Sequence, residues 1–150
     1  MPLRRTARLL AIGLVGLAVG GCVGSSGSLQ DYKSKASKTV ETVDSSVKTV
    51  RLAVRAVEEN RTFYPYVSVV IVDAADDASS AQDSLDAVQP PNEEADAVKT
   101  LTDRAVGDAI DTLEQARTYV RREDRDKLIA LGPDLDAASD QLGGLQEGLR

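Results

Sequence analysis

The sequence predicts an all-α protein. Residues 29–150 are expected to form an up-down-up-down four-helix bundle, after a signal segment and a short Gly/Ser tether. Three observations predict this. Apolar residues recur at alternating steps of four and three along several long stretches, the repeat of helices with one buried stripe. The breaks between those stretches are short and carry turn or capping residues. The composition has no His and no Trp, one Phe and four Tyr, and leans on Ala, Val, Leu, Asp and Glu. That mixture suits helices around a core of small side chains.

The first helix is expected over about 29–60. Ser28-Leu29-Gln30-Asp31 has the form of a capping box, with Asp31 in place of the usual Glu. Its apolar seam is Leu29, Ala36, Val40, Val43, Val47, Val50, Val54 and Val57, uninterrupted by Gly or Pro. Val, Thr and Ser are middling helix formers, so this helix must draw its stability from packing. Asn60 can take the left-handed conformation that ends it. Arg61 to Tyr66 form the turn, and Pro65 fits the first position of the second helix, about 65–88. The seam there is Val67, Ile71, Ala74, Ala78, Ala81, Leu85 and Val88. Val69 to Val72 alone would also suit a buried strand, but the regular seam downstream favours helix.

Pro90-Pro91 break the chain, and Asn92 can cap a third helix, about 92–121, with Glu93 and Glu94 at its positive end. Ala95, Val98, Leu101, Ala105, Ala109, Leu113, Ala116 and Val120 make a broader stripe, weakened by Gly107. A tight turn is expected in the polar run Arg121–Lys127, with Asp124 capping a fourth helix over about 124–147. An unbroken helix from Asn92 to Leu131 remains the alternative, since no Pro intervenes. Four antiparallel helices bury all four seams, whereas one long helix leaves a seam exposed. The fourth seam is Leu128, Leu131, Leu135, Ala138, Leu142, Leu145 and Leu149. Gly132-Pro133 should kink it, and Gly143, Gly144 and Gly148 should fray its end.

The start of the chain is of a different kind. Arg4, Arg5 and Arg8 precede the apolar run Leu9–Gly21, which ends in Val19-Gly20-Gly21-Cys22. The run is 13 residues long, and a membrane span needs about 20. A basic n-region, a short apolar region and small residues before a cysteine describe a signal peptide. This segment resembles the signal peptide and lipobox of bacterial lipoproteins, and the resemblance covers residues 1–22 only. It implies cleavage after residue 21, with Cys22 as a lipidated first residue bearing diacylglycerol and a further acyl chain such as palmitate. It also implies an extracytoplasmic protein, lipid-anchored to the cell membrane. Residues 22–28 then serve as lipidated cysteine and flexible tether.

Charge excludes some partners. The net charge is −6, and loss of Arg4, Arg5 and Arg8 takes it to −9, which argues against nucleic acid. Lys33, Lys35 and Lys38 follow the tether and could touch headgroups or simply be solvated. Asp73, Asp76 and Asp77, with Asp83 and Asp86 beyond, are the densest acidic group. Without any His they do not match the Glu-x-x-His pairs of diiron bundles, and a solvated helix face is the expected reading. Ser25, Ser26, Ser79 and Ser80 have no His to serve as base. No enzyme activity, metal or cofactor is expected.

What remains is the end of the bundle opposite the tether. The up-down topology brings the first and third turns together there, with Arg61, Phe63, Tyr64 and Tyr66 from one and Tyr119, Arg121, Arg122 and Arg125 from the other. Aromatic residues and Arg are enriched at binding hot spots. Alternatively, Phe63 and the tyrosines plug the open end of the bundle. The expected function is a membrane-anchored, non-enzymatic lipoprotein whose tip binds an unknown envelope protein. A small-ligand carrier or sensor is the alternative, and the oligomeric state stays open.

Overall fold

The computed structural model describes residues 27–150. The signal segment expected at 1–21, the lipidation of Cys22 and the tether up to Ser26 lie outside the described residues. Among the described residues the protein is all-helical, without strands. The helices are α1 (Leu29–Glu58), α2 (Tyr64–Asp86), α3 (Glu93–Arg121), α4 (Arg125–Ala130) and α5 (Gly132–Gly148).

Most helix ends have a local cause. The Ser28 hydroxyl accepts from the Asp31 N–H at 3.1 Å and donates to the Asp31 carboxylate at 2.8 Å. Asn92 accepts from the Ala95 N–H at 2.9 Å, and Asp124 from the Lys127 N–H at 3.2 Å. α1 closes on Asn60, at φ 55. The Arg61 N–H bonds the Ala56 carbonyl and the Asn60 N–H bonds the Val57 carbonyl, the paired bonds of a Schellman motif. α3 closes in the same way on Glu123, at φ 56, with Asp124 bonding Tyr119 and Glu123 bonding Val120. The turn within 121–127 therefore forms, and the unbroken helix from Asn92 to Leu131 does not.

Two expectations about the fourth helix need correction. Gly132-Pro133 does more than kink it: Leu131 ends α4 and begins α5, so residues 124–147 are not one helix. Pro133 has no N–H to offer the preceding turn, and its ring would crowd the carbonyl four residues back. The apolar phase still passes through, because Leu128, Leu131, Leu135, Ala138 and Leu142 are all buried. The expected fraying at Gly143 and Gly144 does not occur either, and α5 stays helical to Gly148.

Hydrogen bonds between helices set their directions. Thr39, early in α1, donates to the Ala81 carbonyl, late in α2. Arg117, late in α3, meets Asp76, while Lys99, early in α3, meets Asp86 at the end of α2. Arg51 of α1 meets Asp136 and Ser37 of α1 meets Gln146, so α5 runs back along α1. α1 and α2, α2 and α3, and α1 and α5 are therefore antiparallel pairs, which leaves α1 and α3 running the same way. α1 touches every other helix, and α1, α2 and α3 touch one another, whereas α2 and α5 do not meet.

The core follows the seams. Ala36, Val40, Val43, Val47, Val50, Val54 and Val57 are buried in α1, and Val67, Ile71, Ala74, Ala78 and Leu85 in α2. In α3 one position was misplaced. Leu101 is 57% exposed, and Thr102 is fully buried in its stead. The phase Ala95, Val98, Thr102, Ala105, Ala109 keeps the alternating steps of three and four, and phase overrides the greater hydrophobicity of leucine. Tyr32 joins the core at the end near Ser28.

Candidate functional site

The two Schellman turns stand at the same end of the molecule. Between them α2 begins at Tyr64, with Pro65 in its first turn and no side chain capping its N-terminus. Together these elements form a groove of about 660 Å³, lined by Tyr64, Pro65, Ser68, Val120, Arg121, Glu123 and Arg125.

The residues expected at the tip divide by role. Phe63 and Tyr66 are 74% and 66% exposed. Phe63 therefore does not plug the end of the bundle. As the residue before α2 it has extended backbone, and its ring is left on the outside. Tyr64 and Tyr119 are only partly exposed and pack against the core. They close the end instead. Lys127 lies over the Tyr119 ring, 5.8 Å from its centroid, which holds that ring in place.

The basic residues divide as well. Arg61 pairs with Glu59 at 2.9 Å. Arg125 donates to the Val57 carbonyl and to the Asn60 side chain, which ties the end of α1 to the start of α4. Its role is to satisfy a helix C-terminus. Arg121 and Arg122 are exposed and form no ion pair with a described residue. Of these two, Arg121 lines the groove.

The Tyr64 hydroxyl is buried and has no hydrogen-bond partner among the described residues. Burial pushes its pKa up, Glu123 and Asp124 push it further, and Arg125 opposes them. It therefore remains a neutral donor at physiological pH. Asp124 is held below the usual carboxylate value by the side-chain hydrogen bond from Lys127 and by the backbone bond of that same residue. It stays charged as the cap of α4. These groups can bind and orient a ligand through hydrogen bonds and charge. No cluster of three His, Cys, Asp or Glu among the described residues could hold a metal ion.

Sequence reasoning missed two features here. Glu123 gives no compositional sign of a left-handed residue, a conformation that costs about 1–2 kcal/mol outside glycine. Ser68 and Val120 line the groove, yet neither stands out as a binding residue by type.

Elsewhere, a second groove of about 490 Å³ runs between α1 and α5, with Leu52, Arg55, Asp136 and Asp140 on its walls. The Asp73, Asp76, Asp77, Asp83 and Asp86 side chains are all exposed along α2. No described helix is long and apolar enough to cross a membrane. No family model, curated protein or solved structure matches the chain.

Proposed function

We propose that this chain is a non-enzymatic, lipid-anchored protein of the bacterial cell envelope. In this reading it is held to the outer side of the cell membrane through Cys22. Its up-down-up-down four-helix bundle presents the tip to a partner protein. α1 would carry that tip about 45 Å from the tether, at 1.5 Å per residue over 30 residues. The observation that carries the reading is the pair of large exposed aromatics, Phe63 and Tyr66, beside a groove with a free arginine and an unpartnered tyrosine hydroxyl. Exposed aromatic side chains beside a pocket are what hot spots are made of.

Two substitutions test it. Phe63→Ala with Tyr66→Ala should abolish cross-linking to the partner in intact cells while leaving the thermal melt nearly unchanged, because both rings are already solvated. Full capture by the double variant would refute the tip. Cys22→Ala should block lipidation and leave a chain that is either uncleaved or released from the membrane, since stable anchoring of the cleaved chain needs two acyl chains. A Cys22→Ala chain that is cut and membrane-bound like wild type would refute the anchor.

A further inference from the structure

We draw no further inference here: the strongest candidate, the groove at the tip between the first turn of α2 and the α3–α4 turn, with Arg121 on its wall, belongs to the site already described, and nothing in the structure shows what would fill it.

Discussion

α1 and α5 carry the same kind of apolar seam and lie against each other, yet they are built differently. α1 places valines on a backbone free of Gly and Pro, with a side-chain cap at one end and a left-handed residue at the other. α5 places leucines on a backbone that contains Gly132, Pro133, Gly143, Gly144 and Gly148. Only one of those glycines has a spatial reason. A Cβ at Gly132 would sit 3.3 Å from the Arg51 guanidinium carbon, whereas at Gly143, Gly144 and Gly148 it would meet nothing within 4 Å. None of the described glycines has a positive φ. α5 is therefore helical because its leucines are buried, against a backbone that costs about 1 kcal/mol per glycine. α1 gives up less at each valine and gains closed ends. Packing can hold either backbone, but the two helices have different reserves.

The largest way to break this comparison is at the centre of α1. Val47 is fully buried. Val47→Asp should cost more than about 4 kcal/mol, because it leaves a carboxylate unpaired in the core. Asp140→Ala, on the exposed side of α5, should change stability by less than about 0.5 kcal/mol. Equal urea midpoints for the two variants would contradict the assignment of inner and outer faces.

A smaller effect of opposite sign sharpens it. Gly143→Ala combined with Gly144→Ala should stabilise the protein by about 1–2 kcal/mol, since alanine is the better helix former and the space is open. A fall in melting temperature would show that these glycines serve a contact, not merely tolerate a helix.

The smallest effect concerns the tie between the two helices. The side-chain hydrogen bond from Arg51 holds Asp136 below the ordinary aspartate value of 3.8. A lowered folded pKa contributes stability that is present above 3.8 and is lost as pH falls through the folded value. Arg51→Gln should thus flatten the acid limb of a stability profile. The slope should not vanish, because Asp124 is lowered too, by Lys127. An acid limb identical to wild type would remove Arg51 as the cause.

Much of the fold was legible because periodicity and capping agree. The valine seam of α1, the caps Ser28, Asn92 and Asp124, and the left-handed Asn60 follow from residue type and spacing. What was not legible depends on tertiary competition. Thr102 displaces Leu101 inward because the stripe of α3 keeps its phase, and hydrophobicity alone does not reveal phase. Glu123 accepts a left-handed backbone because Asp124 beyond it must start α4. At the tip, composition named the aromatics but not their directions. Phe63 faces out because it lies just before α2, while Tyr64, one residue later, turns inward. Arg125 carries the same charge as Arg121, yet it is consumed by the carbonyl of Val57, a contact set by fold alone.

That α2 and α5 never meet has a consequence for how core losses combine. Ile71 and Leu142 are both fully buried, one on each flank. Residues without shared neighbours have nearly independent effects, whereas residues around one void do not. Ile71→Ala and Leu142→Ala, each costing about 2–5 kcal/mol, should therefore sum to within about 0.5 kcal/mol in the double variant. Val47→Ala with Leu135→Ala, which line one groove between α1 and α5, should depart from the sum. α2 and α5 are thus two flanks of one core, joined only through α1 and α3, each of which touches both.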